Sequence, residues 1–168
     1  RRRVAFGFVF GVIVLVLARP TPASLGAGLA IAACGEGLRI WAAGHLNKAR
    51  EVTSSGPYRW FAHPLYIGSS IMGLGLAVMA ANLVAGGLIA IYLATTLTAA
   101  IRTEEAFLRE RFGDRYDRYR RGGPEPGDQG PTANDRRPFS VAQAMVNREH
   151  RTVMGVAVAV LLLVLKAT

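Results

Sequence analysis

The sequence predicts an all-α fold, a multi-span membrane helical bundle of four to five transmembrane helices with a further cytoplasmic interfacial helix. Three observations lead there. Neither Val4 to Ala18 nor Leu65 to Ile101 contains a charged residue, and apolar runs of that length read as membrane spans. No polar face recurs turn by turn along them, as it would in a soluble bundle. The basic residues gather into a few blocks that one membrane orientation brings to the same side.

The first helix covers about Val4 to Ala18 and stops at Arg19-Pro20, where proline ends the pattern. It is short and needs tilt or local thinning of the bilayer. No convincing small-residue cleavage site follows it, which argues against a signal peptide. The second helix runs from about Pro22 to His45 and carries Glu36 and Arg39, the third from about Pro64 to Ala81, and the fourth from about Leu83 to Ile101. Asn82 marks a tight connection between the third and fourth. A last, shorter helix is expected over 152–165.

Arg102 to Arg121 differs in kind. Its apolar and aromatic residues Phe107, Leu108, Phe112, Tyr116 and Tyr119 fall mostly on one helical face, with Arg and Glu elsewhere. This stretch is expected to lie along the cytoplasmic interface or fold back over the bundle. Residues 122–138 are rich in Gly, Pro and Asp without a period, the composition of a linker. The domain reading is therefore a membrane core with its C-terminal helix over 1–121, a cytoplasmic linker over 122–151, and an additional membrane helix over 152–168.

Orientation follows from Lys and Arg. Arg1, Arg2 and Arg3 precede the first helix, and Lys48, Arg50 and Arg59 lie between the second and third. Eleven arginines lie between Arg102 and Arg151, whereas the two opposite connections hold only Arg19 and Asn82. A cytoplasmic N-terminus puts all three basic regions inside. The net charge of +9 is thereby explained by the positive-inside rule and anionic headgroups rather than by nucleic acid. The single cysteine, Cys34, permits no internal disulfide, and His45, His63 and His150 have no metal-ligand spacing.

Two polar clusters bracket the third and fourth helices, Glu51 to Gly68 and Arg102 to Tyr119. Helices joined by a short loop pack antiparallel, so the clusters should meet at the cytoplasmic face. Glu104 and Glu105 are read as lying at a helix end that is already negative, a setting a bound ammonium or sulfonium would relieve. Tyr58, His63 and Tyr66 offer aromatic faces and hydrogen-bonding tips for an adenine and a ribose. An interfacial aromatic belt with a glutamate pair neutralised by Arg102 and Arg109 would use the same residues. Glu36 is an ionisable group within a membrane helix, either structurally paired with Arg39 three residues on or lining a substrate cavity.

Gly56-Pro-Tyr-Arg-Trp-Phe-Ala-His-Pro-Leu-Tyr-Ile-Gly68, followed by Glu104-Glu105, Phe112-Gly113, Tyr116 and Tyr119, resembles the isoprenylcysteine carboxyl methyltransferase family, which is related to the phospholipid N-methyltransferases. Leu38-Arg-Ile-Trp-Ala-Ala-Gly-His45 looks like the bacterial members. The resemblance covers roughly Gly37 to Tyr119. It implies a multi-pass protein of the bacterial cytoplasmic membrane, with its active site facing the cytoplasm, that uses S-adenosylmethionine to methylate a lipophilic small molecule or lipid. It also implies cofactor contacts at Val52, Thr53, Tyr58, His63, Pro64, Leu65, Tyr66 and Glu104, with Glu105 as their partner. The Gly73-Leu-Gly75 pair is similar to a glycine pair of the phospholipid enzymes, although paired glycines in a membrane helix also serve packing.

Three departures stand out. Ala62 occupies a position that is usually arginine or asparagine in the family. Arg102, the candidate for orienting substrate, lies two residues before Glu104 instead of four. The usual Val-Pro-Arg ending is replaced by Arg121-Gly-Gly-Pro124. These departures keep open a member that has lost catalysis and serves as a lipid-binding or assembly module. Glu36 within a short bundle keeps open a small proton-coupled transporter. Methyl transfer from a sulfonium needs no metal and asks the protein mainly for alignment and exclusion of water.

Overall fold

The computed structural model describes residues 2–46, 55–114, 117 and 138–168 of the chain. Among the described residues every regular element is helical: α1 (Arg2–Leu17), α2 (Pro22–His45), a 3-10 turn (Gly56–Arg59), α3 (Pro64–Ala80), α4 (Leu83–Phe112), α5 (Val141–Val146) and α6 (Glu149–Ala167).

Local chemistry explains the boundaries. Thr21 and Ser24 form a reciprocal capping box, each backbone N–H donating to the other's hydroxyl at 2.9 and 3.1 Å, and Pro22 follows where a helix needs no N–H. Ala81 ends α3 in the left-handed region (φ 46°), and Asn82 caps α4 by accepting from the Ala85 N–H at 3.0 Å. The tight α3–α4 connection expected at Asn82 is present.

The centre of the molecule is the α2–α3 seam. Gly28, Ala32 and Gly35 recur on one face of α2, opposite Gly68, Met72, Gly75 and Met79 of α3. A Cβ added to Gly28 would sit 2.5 Å from the Gly75 carbonyl oxygen, and one added to Gly35 would sit 2.5 Å from the Met72 nitrogen. The backbones approach this closely only because those side chains are absent, the small-residue packing common between helices in lipid. At the far end of the seam Ala18, Ala32, Met79, Ala80, Ala85 and Leu163 form one core cluster.

The other end of α2 is closed by α5. The last carbonyls of a helix have no partners of their own. Here Asn147 Nδ2 donates to Ala43 O and Leu46 O at 2.8 Å, and Gln143 Nε2 donates to Leu46 O at 2.8 Å. From there α6 runs back along the bundle until Lys166 Nζ donates to Leu15 O and Val16 O at 2.5 and 2.7 Å, covering the end of α1.

Two expectations are corrected. The amphipathic stretch from Arg102 does not begin a separate interfacial helix, because α4 continues unbroken to Phe112 and ends only at Gly113 (φ 51°). No proline or glycine lies between Ile101 and Phe112 to interrupt it. Within the expected linker, 141–146 form α5 and α6 starts at Glu149, three residues before the anticipated helix. Ser140 starts α5 by accepting from the Gln143 N–H at 3.2 Å.

Among the described residues two helices are long and apolar enough to cross a membrane, α4 and α6. Only 11% and 6% of their apolar windows are buried. Gly7–Leu17 and Pro64–Ala80 are shorter apolar helices.

Candidate functional site

His63 is the residue before α3, with φ −136° and ψ 61°, and its side chain makes no capping bond. Pro64 begins the helix without needing one at its own position. The imidazole is thereby left to reach α4, where His63 Nε2 lies 3.3 Å from Glu105 Oε1. One turn into α3, the Tyr66 side chain lies beside the Glu104 carboxylate. The His63 and Tyr66 rings are 5.7 Å apart. Four side chains from two helices, consecutive carboxylates on one and an aromatic pair on the other, thus meet at the N-terminal end of α3, whose dipole favours the carboxylates.

From that meeting point a groove of about 1090 Å³ runs between α3 and α4 to Gly86 and Gly87 at their connection. Trp60, Phe61, Ala62, His63 and Tyr66 form its mouth. Small residues make its floor: Ser70, Gly73 and Ala77 from α3, and Ala90, Ala94 and Thr98 from α4. Leu74, Leu93, Leu97 and Ile101 give it apolar walls. The volume stands at the upper end of the roughly 300–1,000 Å³ range of a site for a drug-sized molecule.

The expected residues are placed unevenly. His63, Tyr66, Glu104 and Glu105 come together. Tyr58 packs with Ala42, Leu46 and Leu65 on the α2 side, and Pro64 is buried behind the mouth. Arg102 is exposed and does not line the groove. Val52 and Thr53, with Tyr116 and Tyr119, lie outside the described residues.

Glu104 and Glu105 are not at a helix end, because α4 continues two turns beyond them. Arg109 pairs with Asp117 at 3.1 Å. Gly73 and Gly75 serve packing on opposite faces of α3, Gly75 against α2 and Gly73 against Leu93 of α4. Glu36 Oε2 is 3.8 Å from Arg39 Nε, away from the groove. Sequence reasoning passed over the groove itself. Its signal is the recurrence of small residues at Gly73 and Ala77 in α3 and at Ala90, Ala94 and Thr98 in α4.

Residues 25–115 match the family model for phospholipid methyltransferases. The chain belongs to the phospholipid methyltransferase family. The matched stretch opens in α2, closes just past α4, and so contains the site and the whole groove.

Among relatives of this family, the protein-S-isoprenylcysteine O-methyltransferase of Schizosaccharomyces pombe is 36% identical over 78 residues, 46% of this chain and 33% of the relative. The cobalt-zinc-cadmium resistance protein CzcN of Cupriavidus metallidurans is 33% identical over 99 residues, covering 58% of this chain and 44% of that protein. The nickel-cobalt-cadmium resistance protein NccN of Alcaligenes xylosoxydans xylosoxydans is 31% identical over 88 residues, 51% and 41% of the two chains. The matched part is between a third and under half the length of these curated relatives. No solved structure matches the chain.

Proposed function

We propose that this chain is an S-adenosylmethionine-dependent methyltransferase that acts on a lipophilic acceptor at the cytoplasmic face of a membrane. The observation that carries the reading is the junction of a polar corner, His63–Glu105 and Tyr66–Glu104, with a long apolar groove. The family and the isoprenylcysteine relative support the reaction class.

The residues present fit such a cofactor. Glu104 and Glu105 can accept from ribose hydroxyls or an ammonium, and carboxylates suit a cationic ligand. Tyr66 and His63 offer ring faces and polar tips, with Trp60 and Phe61 beside them. Val52, Thr53, Tyr58, Pro64 and Leu65 complete the proposed cofactor set by resemblance, and Arg102 is the proposed acceptor-orienting group. When bound, S-adenosylmethionine supplies a methyl already activated on a sulfonium, for direct in-line transfer to a nucleophile. The task left to the chain is alignment and dryness. The apolar walls from Leu74 to Ile101 exclude water and hold the acceptor's hydrocarbon part. A carboxylate or thiolate acceptor needs no base here, whereas an amine must arrive neutral.

In this reading residues 1–121 are the methyltransferase core, and α1 to α4 with α6 cross the membrane from a cytoplasmic N-terminus. Lys48, Arg50, Arg59 and the arginines between Arg102 and Arg151 then share one side. The rise from Leu83 to Glu104 along α4 is roughly 30 Å, the thickness of a bilayer's hydrocarbon core. That length supports a glutamate pair at the cytoplasmic edge.

The test is calorimetric titration of the detergent-purified protein with S-adenosylmethionine, followed by transfer of labelled methyl to lipid, thiol and prenylated-cysteine acceptors. Binding with transfer is expected. No binding by the intact protein sinks the reading, and binding without transfer to any acceptor favours a catalytically silent lipid-binding module.

A further inference from the structure

Arg39 spans three helices from the buried face of α2. Its Nε lies 2.7 Å from Glu149 Oε1 at the start of α6, and its Nη2 donates to Thr152 Oγ1 at 3.3 Å one turn on. In the other direction Nη1 donates to the Leu65 carbonyl at 3.3 Å and to the Ser69 hydroxyl of α3. Ser69 itself donates to the same carbonyl at 2.8 Å. The stem of Arg39 crosses Gly68, where an added Cβ would lie 2.6 Å from Arg39 Cγ. Arg39 and Glu149 are both largely buried, at 15% and 7% side-chain exposure, so their charges are poorly screened and geometry decides how they pair.

A rival carboxylate sits one turn away on Arg39's own helix. Glu36 Oε2 is 3.8 Å from Arg39 Nε, and neither Glu36 oxygen has a hydrogen-bond partner among the described residues. An arginine paired with Glu36 would close on α2 alone. Pairing with Glu149 draws the guanidinium outward, across α3, where it grips the first turn. Charge and hydrogen bonds therefore run from α6 through Arg39 to the Leu65 carbonyl. Leu65 precedes Tyr66 in that turn, and Tyr66 lies beside Glu104 at the polar corner of the groove. Arg148 precedes Glu149 in the left-handed region (φ 61°), a tight reversal that sets Glu149 at the first position of α6, where the helix dipole favours a carboxylate.

We propose that Glu149 is a positioning residue: by drawing the Arg39 guanidinium across α3, it fixes the first turn of that helix and keeps His63 and Tyr66 beside Glu104 and Glu105. The stretch matched to the family ends at residue 115, so α6 acts on the site from beyond it. The catalytic consequence rests on the methyltransferase reading, but the mechanical one does not.

The test uses the full chain in lipid nanodiscs. In Glu149→Gln, amide exchange is expected to rise in 63–69 while the seam stretches 28–35 and 72–79 keep their protection. The KM for S-adenosylmethionine rises on the order of tenfold, as for coupling between distinct sites, and the acceptor's KM is unchanged. Glu36→Gln leaves exchange in 63–69 as in the parent. Thr152→Val removes only the second α6 contact and gives the same local rise in smaller measure, which keeps the test decisive if Glu149→Gln does not fold. Exchange that rises uniformly, or does not rise in 63–69, overturns the proposal. If the parent protein binds no S-adenosylmethionine, the methyltransferase reading falls while the exchange data still decide the role of Glu149.

Discussion

Helix α3 is packed on both sides, and its two sides do opposite things. Toward α2 it presents Gly68 and Gly75 to Gly35 and Gly28, so closely that an added methyl would meet backbone. Toward α4 it presents Ser70, Gly73 and Ala77 beside a groove of about 1090 Å³, with Leu93 seated against Gly73. The same residue types that close one interface open the other. The difference lies in the facing helix: α2 answers with Gly28, Ala32 and Gly35, while α4 answers with the larger Leu93, Leu97 and Ile101 between Ala90, Ala94 and Thr98. Small residues on an apolar helix therefore do not by themselves announce either packing or a cavity.

Four substitutions test that contrast, in falling order of effect. Gly35→Leu should break the seam, because overpacking against backbone cannot be relieved by rotamer changes; a loss of about 3 kcal/mol or more is expected, read as a lowered thermal midpoint or failure to purify as a monodisperse species. Glu104→Ala leaves the seam alone and removes a carboxylate from the polar corner. Loss of a charge-assisted hydrogen bond, about 1.5–3 kcal/mol, would weaken S-adenosylmethionine affinity by roughly 10–100-fold in calorimetry.

Ala90→Trp fills the groove from an exposed position on α4. It should shift stability by no more than about 0.5 kcal/mol, raise the acceptor's KM and leave cofactor affinity unchanged. A parallel rise in cofactor Kd would mean that groove and corner are one compartment. The smallest effect is expected at Gly37, an exposed α2 glycine with nothing within 4 Å of an added Cβ. Gly37→Ala should stabilise by roughly 0.5–1 kcal/mol through helix propensity alone, giving the seam glycines an internal control in the same helix.

Much of the frame could be read without coordinates. Pro22 to His45 is a helix because proline and a Thr-x-x-Ser box open it, and Asn82 divides α3 from α4 because its side chain caps the next turn. These are local interactions, complete within a few residues. The meeting of the His63 loop with Glu104 and Glu105 was also foreseeable, since an antiparallel hairpin returns the chain to its starting level. What failed was an assumption about where α4 ends. The charges from Arg102 onward suggested a new element, but a helix continues wherever nothing breaks its hydrogen-bond ladder, and Gly113 is the first residue to do so.

The sequence by itself determined that this chain is helical, where most of its helices start, and that a double carboxylate and a histidine-tyrosine turn lie on paired helices. Its motifs also carry the family membership. Only the tertiary structure decided which glycines close a seam and which floor a groove, because that depends on the side chains across the gap. It also decided the partner of Arg39. Glu36 is three residues away and Glu149 is 110, and sequence distance favours the first. The fold brings α6 alongside, places Glu149 Oε1 at 2.7 Å against 3.8 Å for Glu36, and in a poorly screened interior the shorter, better-aligned pair prevails.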